Sequence, residues 1–204
     1  MKFSIWEQNR QKRLPIVKEK ILIIIRSPSG GGKSYKVKKL LIKYGCDSSH
    51  VFSTDNAWIP ETIKRRRNLE TVPERDELEE YTRNFPKDIE ILKKAHSQIT
   101  QAVKQAIDNG VSPIILDNTN VMWQHFSGVV EYADKAGYII KLEEPESPWW
   151  KAYRPFIKQK REDKMKELLE ILSKNNKHGV PKERIWNMLQ QWQEIDLDEK
   201  LGKK

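Results

Sequence analysis

A single cysteine, Cys46, stands in the whole chain, so neither an internal disulfide nor a cysteine-rich zinc site can be built within it. No apolar stretch reaches the roughly 20 residues that a membrane helix requires. No secretory leader, internal repeat or long low-complexity tract is recognisable. These absences argue against a disulfide-bonded secreted scaffold, a helical membrane protein and a repeat array. The expectation is a soluble intracellular protein, cytoplasmic with the nucleus also open. Acidic residues are also short in supply. Against 38 Lys and Arg there are 29 Asp and Glu, a net charge of +9 and a pI near 9.4. That excess favours polyanionic partners, nucleic acid and nucleotide before any membrane. It is concentrated early, where residues 1–43 hold twelve Lys and Arg against two Glu. With 204 residues and 37% hydrophobic content the chain can bury a proper core, and its apolar runs exclude wholesale disorder.

The most informative stretch is Ile21-Leu-Ile-Ile-Ile-Arg26-Ser27-Pro-Ser-Gly30-Gly31-Gly32-Lys33-Ser34. A β-branched run, a glycine-rich turn, Lys-Ser and a helical stretch follow one another in the order that a phosphate-binding P-loop requires. Gly30, Gly31 and Gly32 lack a Cβ, so backbone N–H groups can close around phosphate oxygens. The helix start adds further N–H donors and the positive end of its dipole. In this reading Lys33 reaches the β- and γ-phosphates of ATP and the Ser34 hydroxyl sits on Mg²⁺. Ser27 occupies the first glycine position of the strict pattern. If that position needs positive φ, serine costs on the order of 1 kcal/mol.

Residues 1–20 read as a basic arm broken at Pro15, equally a track for a phosphate backbone or a plain leader. A P-loop domain is expected over 21–195, with a lid at about 150–180 and a tail at 196–204. A helix after the loop ends near Gly45. Residues 51–55 read as a short strand ending in Asp55, which should face the loop, since such sheets bind ligands at the carboxyl ends of their strands. An aspartate there is also a common turn former or helix cap. The polar stretch 58–88 reads as a surface insertion. Apolar spacing predicts a helix over 89–109, with His96 packed beside its stripe and Gly110 as its cap. Residues 113–117 form a third strand ending in Asp117, followed by Asn118, Thr119 and Asn120. A helix over 122–136 and a strand over 138–142 come next. Strands alternating with helices give an α/β fold with a parallel sheet. Trp149 and Trp150 either stack bases or, the favoured reading, pin their loop to the core. A basic helical segment spans 151–174, and Pro181 opens a last helix.

Taken together, several motifs in order carry a family resemblance. They are the Gly-Gly-Gly-Lys-Ser loop, Phe52-Ser-Thr-Asp55, Ala95-His96, and Gly110-Val-Ser-Pro-Ile-Ile-Leu-Asp-Asn-Thr-Asn120. Glu144-Pro, Trp149-Trp150 and His178-Gly-Val-Pro181 complete the set. Over about residues 20–195 the chain resembles the polynucleotide-kinase-like P-loop proteins, and in particular the kinase domain of the Nedd-four-binding-protein-two-like group. The resemblance implies a core like that of nucleoside monophosphate kinases and an enzyme that uses ATP and Mg²⁺. It would phosphorylate the 5′-hydroxyl of DNA or RNA. Lys33 and Ser34 would handle ATP and Mg²⁺, and Asp55 would be the general base. Asp117, with Thr119 and Asn120, would line the acceptor pocket. The chain departs from the family at Trp58 and at Asn175, where arginines are usual. Lys174, Lys177, Arg154 and Arg161 are the cations available to replace them. A nucleic-acid-binding module that has lost phosphoryl transfer, and a kinase for small molecules or tRNA, are the alternatives.

Overall fold

A computed structural model describes residues 19–55, 89–177 and 179–203. Residues 1–18 of the basic arm, the whole 58–88 insertion with Trp58, and His178 lie outside the described residues. The apolar run forms β1, Ile21–Ile25, and all five residues are buried. A strand covered on both faces reads as a continuous apolar run, and that is the pattern here. Three further strands, β2 (Val51–Phe52), β3 (Ile114–Asp117) and β4 (Ile139–Glu143), join it in a parallel sheet of order β2-β3-β1-β4. The glycine-rich loop therefore leaves the middle of the sheet, with β3 and β2 on one side and β4 on the other.

Alternation along β1 sorts its side chains to two faces. Leu22 and Ile24 join Ile114 and Leu116 on one face. Against them pack α2 (Ile89–Asp108) and α3 (Ser127–Lys135) through Val103, Ala106, Ile107, Val129, Val130 and Ala133. Ile21, Ile23, Ile25 and Ile115 face the other way, onto Val37 and Leu40 of α1, Lys33–Tyr44. That helix closes at Gly45, whose N–H donates to the Ile42 carbonyl. Beyond β4 lie α4 (Pro148–Lys158), α5 (Glu162–Lys174) and α6 (Lys182–Gln190). They share a separate apolar cluster of Trp150, Ile157, Met165, Leu168, Leu172, Ile185, Leu189 and Trp192.

Four local expectations change. The second strand stops at Phe52, and Thr54 and Asp55 are already helical. The ladder ends because the Thr54 N–H is taken at 2.9 Å by the Asn118 side chain rather than by a strand partner. The expected 151–174 helix is two helices, parted at Lys160, whose φ is 54°. Its Nζ donates to the carbonyls of Gln190 and Trp192 at 3.1 and 3.4 Å, offsetting a left-handed backbone that costs about 1–2 kcal/mol. The stretch 122–136 divides into a 3₁₀ turn, Trp123–His125, and α3. The tail forms α7, Leu197–Lys200, capped by Asp196 through the Asp198 and Glu199 N–H groups. Ile195, Leu197 and Leu201 pack on the sheet's first core.

Arg26 joins these parts. It is buried and directly precedes the loop, and its guanidinium donates to the carbonyls of Asn120, Val121 and Gln193 at 3.0, 3.1 and 2.6 Å. It also lies 4.5 Å from the centre of the Trp192 ring. Burial pushes its pKa down to about 10, opposed by Glu144 and Glu194, so it stays charged at neutral pH. Arg26→Met leaves these carbonyls unserved and is expected to cost about 3 kcal/mol in urea unfolding, with Arg26→Lys intermediate because an ammonium lacks the planar fork. A loss below about 1 kcal/mol for Arg26→Met would show that the three carbonyls find other donors.

Candidate functional site

The loop after β1 is packed against its neighbours at its base. Ser27 N–H donates to the Thr119 carbonyl at 2.9 Å, and Ser27 Oγ donates to the Pro28 carbonyl at 2.8 Å. Among the described non-glycine residues only Asn120 and Lys160 have positive φ, so Ser27 carries no left-handed strain. Its hydroxyl instead fills the space beside Gly31, where an added Cβ would come within 2.0 Å of Oγ. Gly30 and Gly32 do adopt positive φ, 81° and 101°. A Cβ on Gly30 would meet the Leu172 carbonyl of α5 at 2.1 Å, so the end of α5 rests on the loop. Gly32 precedes α1 in a left-handed conformation and no side chain caps that helix start. The first-turn N–H groups are thus left to solvent or to a ligand.

This loop is the floor of a cleft of about 450 Å³. On the β3 and β2 side its wall is Thr54, Asp55, Asn118, Thr119 and His96. On the other side it is Trp149 and the α5–α6 corner, from Asn175 to Met188. Lys33, Ser34, Tyr35 and Lys38 of α1 complete it. The structure therefore brings Gly30, Gly32, Lys33, Ser34, Asp55 and Thr119 together at one cleft. Gly31 lies behind them, with its carbonyl held by Ser147. Asp117 is paired with Ile25 within the sheet, and Asn120 is buried with its amide donated to the Ile25 carbonyl. Neither is among the residues that line the cleft, whereas Asn118 is. His96, expected to pack beside an apolar stripe, is instead exposed at the cleft, its Nδ1 3.2 Å from Thr54 Oγ1.

Cations divide by their partners. Arg154 is clamped between Glu144 and Glu194, and Arg161 is paired with Asp163. Neither lines the cleft, and nor does Lys174. Lys177 does, together with Lys33, Lys38 and Arg184, and among the described residues none of these four makes an ion pair. Arg184 has no motif around it. Its position on the first turn of α6 reaches the cleft only because α5 and α6 pack as a corner, so no sequence signal could have marked it. Trp150 is buried, 5.1 Å from Trp192 ring to ring, and Trp149 donates to the Gly30 carbonyl. Trp150 therefore fixes its own segment in the core, as expected, whereas Trp149 lines the cleft and bonds the glycine-rich loop.

Ion pairs tie the loop helix to the turn after β4. Burial opposes the Lys36 ammonium, but hydrogen bonds to Glu143 and Glu146 outweigh it and raise its pKa. Hydrogen bonds from Lys36 and Lys39 hold Glu146 down at about 2. A carboxyl depressed on folding stabilises the fold above its ordinary pKa and loses that contribution as pH falls through the depressed value. Acid titration of stability should therefore include a Glu146 component between pH 4.5 and about 2. In Glu146→Gln that part of the slope should vanish, with stability lowered above pH 6 and little changed near pH 2; an unchanged acid slope would refute the pairing.

No known family model matches the chain. It is 27% identical over 173 residues to human (Homo sapiens) NEDD4-binding protein 2, covering 85% of this chain and 8% of that protein. The similarity relates the chain to that group. It concerns one segment of a far longer relative, because the chain spans less than a tenth of the relative's length.

Proposed function

We propose that the chain is a P-loop kinase that transfers the γ-phosphoryl group of ATP to the 5′-hydroxyl of a polynucleotide. One arrangement carries the reading: a glycine-rich loop and an uncapped helix start, ringed by cations that have no carboxylate partner among the described residues, with Asp55 on the opposite wall. Such a cleft suits a ligand that carries several negative charges and reacts at one end. Gly30, Gly32 and the start of α1 would cradle the phosphates, and Lys33 would contact the terminal ones. Hard oxygen donors suit Mg²⁺, which keeps most of its shell from phosphates and water; Ser34 would be its protein ligand and the ion would neutralise phosphate charge. Among the described residues no group of three or more His, Cys, Asp or Glu could hold a metal alone.

The acceptor hydroxyl would lie between Asp55 and the γ-phosphate. Asp55 takes the hydroxyl proton as the oxygen bonds to phosphorus and the bond to the departing ADP breaks. Thr54, Asn118 and Thr119 offer hydrogen bonds that orient the acceptor on the same wall. Arg184 and Lys177 supply charge opposite the transferring group, in place of the arginine absent at Asn175. The basic excess of the chain favours a polymeric acceptor.

Labelled ATP supplied with 5′-OH DNA and RNA oligonucleotides, beside free nucleosides, tests the reading directly. Asp55→Asn should bind ATP and oligonucleotide almost as wild type and transfer roughly 10²–10⁴-fold more slowly. Wild-type binding of oligonucleotides without transfer would favour the binding-module alternative, and wild-type transfer by Asp55→Asn would reduce that residue to a helix start. Lys33→Ala should weaken ATP by roughly 10–100-fold in a folded protein, measured by calorimetry. Arg184→Ala should slow transfer by about 10³-fold, with Arg184→Lys between it and wild type; no change would assign the role to Lys177.

A further inference from the structure

The glycine-rich loop is only partly held in shape by its own bonds. Within it, the Gly31 N–H donates to the Pro28 carbonyl at 3.2 Å. Its next two carbonyls are held from outside, both by the start of α4. Trp149 Nε1 donates to the Gly30 carbonyl at 3.2 Å, and Ser147 Oγ donates to the Gly31 carbonyl at 2.9 Å. Ser147 is also the cap of α4, accepting from the Trp150 N–H at 3.3 Å.

In a trans peptide the C=O and N–H point to opposite sides. Holding the Gly31 carbonyl toward Ser147 therefore turns the Gly32 N–H away from it. Gly32 lines the cleft, and among the described residues no hydrogen bond takes its N–H. The Gly30–Gly31 peptide is fixed at both ends, by Trp149 on its oxygen and Pro28 on its N–H. Glycines visit left- and right-handed conformations with little difference in cost, so a run of three selects no single loop shape. Something outside the loop has to choose it.

We infer that Ser147 and Trp149 are positioning residues that hold the loop's peptides in the orientation that receives the donor's phosphates. The inference rests on the kinase reading. Glu146, beside Ser147, is bound by Lys36 and Lys39 of α1, the helix that also carries Lys33 and Ser34. Loop, helix start and the turn after β4 are thereby one unit.

The test uses the full chain with Mg²⁺ and two probes, ATP and inorganic tripolyphosphate, in calorimetry, together with the KM for ATP and for a 5′-OH oligonucleotide. Trp149→Phe keeps the ring and removes the donor; Ser147→Ala removes the hydroxyl and Ser147→Thr retains it. Trp149→Phe and Ser147→Ala should each bind tripolyphosphate about three- to tenfold more weakly. The KM for ATP should rise in parallel and the KM for the oligonucleotide should not, while Ser147→Thr should recover wild-type binding. Lower thermal stability with unchanged tripolyphosphate affinity, or a Thr variant as weak as Ala, would overturn the assignment. If Ser147→Ala does not fold, Trp149→Phe decides alone. A wild type that binds neither probe defeats the kinase reading and this inference with it; a wild type that binds both beside variants that bind as tightly defeats the positioning role only.

Discussion

Arg26 is the constraint on which the rest of the structure depends. Burying a guanidinium costs several kcal/mol unless its donors are served. Here they are served by carbonyls from two distant parts of the chain, Asn120 and Val121 after β3 and Gln193 near the C-terminus. The Trp192 ring stacks on the charge, and Arg154 approaches the same ring at 4.9 Å while it holds Glu144 and Glu194. Because Arg26 immediately precedes the glycine-rich loop, the loop leaves the sheet from a point that these interactions hold still. The backbone reinforces this: Arg26 N–H continues the ladder to Glu143, and Ser27 N–H bonds across to Thr119.

From that anchor the cleft acquires its two unlike walls. Parallel strands with a central β1 put Asp55 and the Asn118–Thr119 pair on one side and the α5–α6 corner on the other. Charge follows the same division. Cations that serve the fold are matched to carboxylates, as Lys36 is to Glu143 and Glu146, whereas Lys33, Lys38, Lys177 and Arg184 converge on the cleft with no such partner among the described residues. Like charges converging without partners repel one another, and a polyanionic ligand relieves that repulsion.

Much of this was legible in one dimension, and the reasons are local. Continuous burial of β1 shows as a continuous apolar run, and the amphipathic spacing of α2 shows as period 3.6. Gly-Lys-Ser after such a strand has a meaning that survives without knowledge of the rest. So the sheet, the loop and the sides of the chain that carry Asp55 and Thr119 could be read in advance. What could not be read depends on contacts between residues far apart in sequence. The strand at 51–55 stops early because Asn118, more than sixty positions away, takes the Thr54 N–H. The break at Lys160 contains neither glycine nor proline, and is held by carbonyls thirty positions further on.

The amino-acid sequence by itself determined where the buried strands and the long amphipathic helices lie, that they alternate, and that one loop is built of glycines ahead of Lys33 and Ser34. Those properties arise from backbone sterics and from the period of apolar residues, both short-ranged. Tertiary structure alone decided that Asn118 lines the cleft while Asn120 is buried, its amide on the Ile25 carbonyl. It also brought Arg184 into the cleft and set Ser147 and Trp149 against the loop's carbonyls. Three successive glycines favour no conformation of their own. Part of their shape comes from side chains more than a hundred residues away, which only the packing of α4 beside the loop brings within hydrogen-bond reach.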